Sequence, residues 1–387
     1  MIQRTGFALS LLLASSLANA SAHRLQNLPL DQLSQNFVFR FWVETKKDFR
    51  FFSGDACGAD IADYWFSAQA LDTVLDWFDR SQDQKAARIA VLFADHQIES
   101  GVLETGAYKY YDDENWMALA FLHAYDAFKK PNYLDTARIL FDDVWSAWDE
   151  TCCGENPGGI WWNSMHSQKA TASNAGVAIT AIRLYQTTKN GRYLRIAQQI
   201  YRYWYETMGT FIGNDLCVAD HLELDGKKLY PGALTYNDGL MIGAAALLFQ
   251  ATSDPTYLAH AHEFAACIMH RESAETSLGD VMTDQSPPIL SCQQSLNEAQ
   301  KDFPQFKEIA FRYFIELEKT DFNQEETDFL GTNIDNLIHN AWDPTTHFIA
   351  PNWEQSFSKF ERSFQVLPQQ SSGVSALNLF FHQNIQD

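Results

Sequence analysis

Asp112 and Asp113 stand side by side in the run YYDDENW, residues 110–116. Two tyrosines precede them and Trp116 closes the run. Adjacent carboxyls repel, and the repulsion raises one pKa while a helix N-terminus keeps the other group ionised. Cleavage of a glycosidic bond needs that split: one carboxylate to attack and one carboxylic acid to protonate the leaving oxygen. Neighbouring Cα atoms lie about 3.8 Å apart, so the carboxyls fit the roughly 5 Å separation of a retaining mechanism more readily than the wider gap of an inverting one. The competing reading is helix capping, for which Asp is a preferred residue.

Other stretches carry groups suited to a glycan. GGIWWN (158–163) offers Trp161 and Trp162 behind two glycines, and TASN (171–174) offers Asn174. TYNDG (235–239) offers Tyr236, Asn237 and Asp238. Of the tryptophan pair, one ring is expected to stack on sugar while the other packs beneath it. Trp116, one helical turn beyond the aspartates, serves either core or sugar. The amides would bond sugar hydroxyls or cap helices. His166, His221 and His339 read as surface or core residues. Asp280 and Asp284 read as a solvated acidic loop.

These segments need elements to hold them, and the chain repeats. From residues 112, 173 and 236, an Asn- or Asp-containing start leads into an apolar helix. A Pro, Gly or Asn turn follows, then a second helix carrying Tyr133, Tyr193 or Tyr257 near its start. Fainter copies start at Asp63 and Gln305. The last, from Ser371, pairs with an N-terminal helix near residues 32–43. The first helices are apolar on all sides and the second are amphipathic, the signature of buried and solvent-facing layers. Six such hairpins make an all-α (α/α)6 barrel in a single domain over residues 21–387. The starts of the inner helices then gather the candidate segments at one mouth. No alternating run is long enough for a substantial sheet.

Composition narrows the partners. Among 387 residues, 49 acids against 28 Lys and Arg give a net charge of −21, which excludes nucleic acid and disfavours anionic membranes. Residues 1–20, with Arg4, a short apolar core and Ala-Asn-Ala, read as a signal peptide with cleavage near Ala20. A secreted or periplasmic protein is expected, without membrane anchor and monomeric. Six cysteines suit an oxidising compartment and at least one disulfide. Cys152 and Cys153, being adjacent, are not expected to pair with each other. No metal site is indicated and no cofactor is expected.

Together, YYDDENWMALAFLHAY, GGIWWN, SNAGVAITAIRLY and YNDGLMIGAAALLF resemble glycoside hydrolase family 76, the endo-α-1,6-mannanases and their fungal cell-wall relatives, from about Asp63 to Gln383. The resemblance implies an (α/α)6 barrel that cleaves α-1,6-linked mannose with retention, with Asp112 as nucleophile and Asp113 as general acid/base. Position 238 departs from the family, which usually has Gln there. A third carboxylate near the mouth would alter subsite preference or the pair's pKa values. Transglycosylation of cell-wall glycan and an inactive glycan-binding barrel are the alternatives.

Overall fold

The computed structural model describes residues 28–53, 57, 60–101, 109–154, 157–230, 232, 234–291 and 295–386. The expected signal peptide lies outside them. Six inner helices form the core: α2 (Tyr64–Ser81), α4 (Tyr111–Phe128), α6 (Thr171–Thr188), α8 (Thr235–Thr252), α11 (Phe303–Thr320) and α13 (Leu367–Gln386). Each packs on the next, and α13 returns to α2, closing the ring. Outer helices α3 (Gln84–Glu99), α5 (Pro131–Ser146), α7 (Gly191–Met208), α9 (Pro255–Arg271) and α12 (Gln324–Asn336) each back the inner helix before them. The sixth outer place goes to α1 (Leu30–Phe41), which packs on α13. A single turn, α10 (Glu298–Lys301), precedes α11. The expected barrel of six hairpins is present, including its closure by the N-terminal helix.

The hairpin turns share one chemistry. Gln82, Lys129, Lys189 and Ser253 end α2, α4, α6 and α8 in the left-handed region, at φ 54°, 53°, 58° and 61°. Asp83, Asn190 and Asp254 then cap the following outer helices with side-chain oxygens, and Pro131 opens α5. At the opposite end, α2, α4, α6, α8 and α11 start without a side-chain cap. Their first amides are therefore available to the loops and carboxyls gathered at the mouth.

Four small antiparallel ribbons were not legible in the sequence. They pair Trp42–Val43 with Asp48–Phe49, Gly209–Ile212 with Asp215–Val218, and Ser273–Thr276 with Gly279–Met282; the fourth joins Lys169–Ala170, His221–Leu222 and Lys228–Leu229. Each strand has two to four residues, too few for alternation to show. A disulfide joins Cys217 in one ribbon to Cys267 in α9. Cys152 and Cys153 do bond to each other, against expectation: the peptide between them is cis, which brings their Cα atoms to 3.1 Å.

The barrel centre carries buried charge. Arg312 of α11 donates to both oxygens of Asp76 on α2, at 2.9 and 2.7 Å, and to Glu308 at 2.6 and 2.9 Å. It also donates to Ser375 Oγ of α13 at 3.2 Å. His123 of α4 lies between Asp72 and Asp79 of α2, at 2.8 and 3.0 Å. Burial opposes its charge, but the two carboxylates outweigh that and push its pKa up to about 10.

Removing Arg312 leaves two acids buried without their cation. Arg312→Met is expected to cost about 3–5 kcal/mol in urea unfolding. For His123, the raised folded pKa stabilises the fold fully below the unfolded value of 6.5 and loses that contribution as pH rises through about 10. The melting-temperature gap between wild type and His123→Gln should therefore be widest near pH 6 and shrink toward pH 10.

Candidate active site

The first turn of α4 presents Asp112 and Asp113, both half-buried. Neither is the N-cap; Tyr110 holds that place, in extended conformation. The loop carrying GGIWWN lies alongside. Tyr110 bridges Asn163, and Tyr111 N–H donates to Trp162 O at 2.8 Å. The Trp162 ring packs on Tyr110, with centroids 4.8 Å apart, and its Nε1–H donates to Asp112 Oδ2 at 2.9 Å. Asp113 N–H donates to Asp112 Oδ1 at 3.1 Å. Both Asp112 oxygens thus have donors, the arrangement a carboxylate needs to stay charged in a partly dry site.

Burial still pushes Asp112 up to about 7, the charge of Asp220 adding to it while the Trp162 and amide bonds pull the other way. Asp113 is pushed well above the ordinary range by burial, then by the charges of Asp112, Asp302 and Asp63. Of the two, Asp112, with a donor on each oxygen, is the easier to ionise, and Asp113 is biased toward its protonated form.

Asp220 is a site residue that the sequence reading missed. It accepts from Tyr236 OH at 3.0 Å, Asn237 Nδ2 at 2.8 Å and His221 Nδ1 at 2.7 Å. Burial favours its neutral form, but these bonds outweigh it and hold the carboxyl below its usual value. Asp302 was also missed. Burial pushes it up to about 7, with Trp65 as a hydrogen-bond partner. Asp220 lies just before a two-residue strand, and Asp302 at the turn into α11, so neither belongs to a repeated motif. The adjacent Asp-His of residues 220–221 was the available signal.

Several expected sugar contacts are supports instead. Asn174 has no exposed surface; its Oδ1 accepts from Ile160 N–H, and its Nδ2 donates to the carbonyls of Ile160 and Ala170. It fixes the GGIWWN loop. Trp161 is buried, stacked 4.6 Å from His166, and donates to Asp149 at 3.1 Å. Lys169, fully buried, donates to the carbonyls of Asp149, Cys152 and Gly158 and lies over the Trp161 ring. A Cβ at Gly158 would come within 2.6 Å of the Tyr203 ring, which is why this loop needs glycine.

Trp116 is buried below the aspartates. It lines a cavity of about 10 Å³ with Gln69, Asp72, Arg183 and Arg312, room for a single water. Asn237 is buried and works through Asp220, while Tyr236 is half-buried and stacks 4.1 Å from Phe306.

Asp238 is not at the mouth surface. It is fully buried and accepts from Val218 N–H at 3.0 Å. Burial and the neighbouring Glu272 push its pKa well up. The carboxylates acting on the pair are Asp220, on Asp112, and Asp302 and Asp63, on Asp113. Asp238 also lies within 4.8 Å of the sulfurs of Cys217 and Cys267, but these are bonded to each other and offer no thiolate to a metal. Asp284, expected in a solvated loop, is buried and accepts from Thr235 N–H and Oγ1 at the start of α8.

The glycosyl hydrolase family 76 profile matches residues 31–386. The chain belongs to that family. Mannan endo-1,6-alpha-mannosidase DFG5 of Saccharomyces cerevisiae is 34% identical over 132 residues, 32% of this chain and 28% of the yeast protein. The matched stretch is thus under a third of either. The fold is shared with the GH76A alpha-1,6-mannanase of Salegentibacter sp. HEL1_6, at TM-score 0.77 and 22% identity, covering 91% of this chain and 98% of that one. That structure is an inactive variant, with two consecutive aspartates replaced by asparagine, in complex with alpha-1,6-mannotriose. Dfg5 from Chaetomium thermophilum, in complex with glucosamine, aligns at TM-score 0.74 and 15% identity over 92% of this chain.

Trp162→Phe keeps the ring and removes the donor to Asp112. A hydrogen bond to a charged group is worth about 1.5–3 kcal/mol. The variant should raise the pKa on the acidic side of the kcat/KM profile and lower the maximum roughly 10- to 100-fold, as read from pH–rate curves.

Proposed function

We propose that this family 76 protein is an exported retaining glycoside hydrolase that cleaves α-1,6-mannosidic linkages, with Asp112 as nucleophile and Asp113 as general acid/base. The observation that carries the proposal is the unlike treatment of two adjacent carboxyls on one helical turn: Asp112 accepts two hydrogen bonds, while burial and then the charges of Asp112, Asp302 and Asp63 favour the protonated form of Asp113. The mannan linkage comes from the relatives and from the bound ligand of the Salegentibacter structure. Export is supported by the leader-like start of the sequence and by the disulfides.

In the first step an Asp112 oxygen attacks the anomeric carbon. The glycosidic C–O bond breaks, and the leaving oxygen takes the Asp113 proton. The product is a glycosyl ester on Asp112 and a free sugar hydroxyl. In the second step the Asp113 carboxylate removes a proton from water. The hydroxide oxygen bonds to the anomeric carbon, releasing Asp112 and restoring the Asp113 proton. Two inversions give net retention. A sugar hydroxyl in place of that water would give transglycosylation instead, and product analysis separates the two outcomes.

Asp112→Ala and Asp113→Ala should each lose several orders of magnitude in turnover while the melting temperature changes little. Azide should rescue the first with inverted product and the second with retained product. An activated leaving group, which needs little protonation, should rescue the first step of Asp113→Ala. Near-normal turnover by either variant on α-1,6-mannan would refute its assigned role.

A further inference from the structure

A cavity of about 390 Å³ lies outside the catalytic constellation, between the segment around residues 285–288 and the segment around residues 352–360. That is the volume of a small-ligand site. Its two segments belong to the connections that lead into α11 and α13, whose first turns lie at the same end of the barrel as the first turn of α4. Pro288 O accepts from Gln300 Nε2 at 3.2 Å, and Gln300 lies two residues before Asp302, whose charge acts on Asp113. On the other side, Asp284 is hydrogen-bonded to the first residue of α8.

The walls are built rather than loose. Asn352 accepts from Ser286 N–H at 2.9 Å and donates to Ser286 O at 3.1 Å. Gln285 Nε2 donates to Glu354 at 2.5 Å, and Gln285 Oε1 accepts from Gln355 Nε2 at 3.2 Å. These bonds fix which way each amide points. Among the described residues they leave three polar groups on the lining without a partner: the Ser286 hydroxyl, Gln355 Oε1 and Lys359 Nζ. The first donates or accepts, the second only accepts, and the third only donates. Exposed Pro287 and Pro288 supply an apolar face beside them.

Mixed donors and acceptors next to an apolar face match a hexose ring, which has hydroxyls around its edge and C–H groups on its face. We infer that this cavity is a second glycan site, holding a hexosyl unit of the polymeric substrate away from the scissile bond through Ser286, Gln355 and Lys359. The inference rests on the glycan-cleaving function proposed above. It predicts a preference for long chains that the catalytic pair does not itself provide. A chain held at two places rebinds at high effective concentration, so the site strengthens attachment to polymer without touching the reaction.

The test is the Gln355→Ala/Lys359→Ala double variant, whose changed side chains are half-exposed and exposed. Two measurements are made: kcat/KM on α-1,6-mannan and on α-1,6-mannotetraose, and retardation in a native gel containing α-1,6-mannan. The gel uses the Asp112→Asn/Asp113→Asn protein with and without the two further changes. The expected result is a loss of about 10-fold or more on mannan, with the tetraose rate within about 2-fold of wild type and gel retardation much reduced. Equal loss on both substrates, unchanged rates on both, or unchanged retardation would overturn the second site. Retardation that depends on Gln355 and Lys359, together with no cleavage of any mannan by the native protein, would overturn the catalytic reading alone.

Discussion

Helices in a barrel share no backbone hydrogen bonds with one another, so closure of this ring depends on side chains. The decisive interaction is the one at Arg312, where a single guanidinium joins Asp76 on α2, Glu308 on its own helix and Ser375 on α13. The His123 bridge extends the tie from α2 to α4. Four of the six inner helices are thereby linked through polar contacts that have few alternative geometries. Apolar packing of Ala, Leu and Gly on the remaining helix faces supplies most of the burial but tolerates sliding. Directional bonds fix register. Because the aspartates sit on the first turn of α4, that register also sets where they stand relative to α2 and α11.

The candidate site follows from the same geometry. Inner helices that begin without side-chain caps leave their N-terminal ends to incoming loops. The GGIWWN loop uses that opening to place the Trp162 indole on Asp112, and the connection before α8 places Asp220 on Tyr236 and Asn237 of its first turn. Behind the loop, Asn174, Trp161 and Lys169 spend their polar atoms on backbone carbonyls, amides and Asp149. The outer face of the candidate site thus carries the carboxyls and their donors, and the layer beneath consists of residues that hold those in place.

This division explains how far the sequence could be followed. The barrel was legible because six apolar-then-amphipathic pairs recur, and even the pairing of the first helix with the last could be anticipated. The aspartate pair stood out as a candidate because adjacent acids between aromatic rings are unusual at a helix start. Asn174 and Asp238 were misplaced because residue type at a helix start does not say whether the side chain faces the mouth or a neighbouring loop; each accepts a hydrogen bond from a backbone amide inside the wall. Asp220 and Asp302 escaped because they enter the site through connections between repeats. The vicinal disulfide escaped because spacing along the chain says nothing of a cis peptide.

Asp238 carries a consequence of its own. In its buried position between Val218 and the Cys217–Cys267 bridge, burial and then the neighbouring Glu272, itself pushed up to about 8, favour the neutral acid. A neutral carboxylic acid and a carboxamide have nearly the same shape, so the residue does the work of an amide while remaining titratable. Raised folded pKa values favour the native state at low pH and penalise it as pH climbs through them. For Asp238 that contribution is complete below its unfolded value of 3.8 and is lost as pH rises toward the raised folded value.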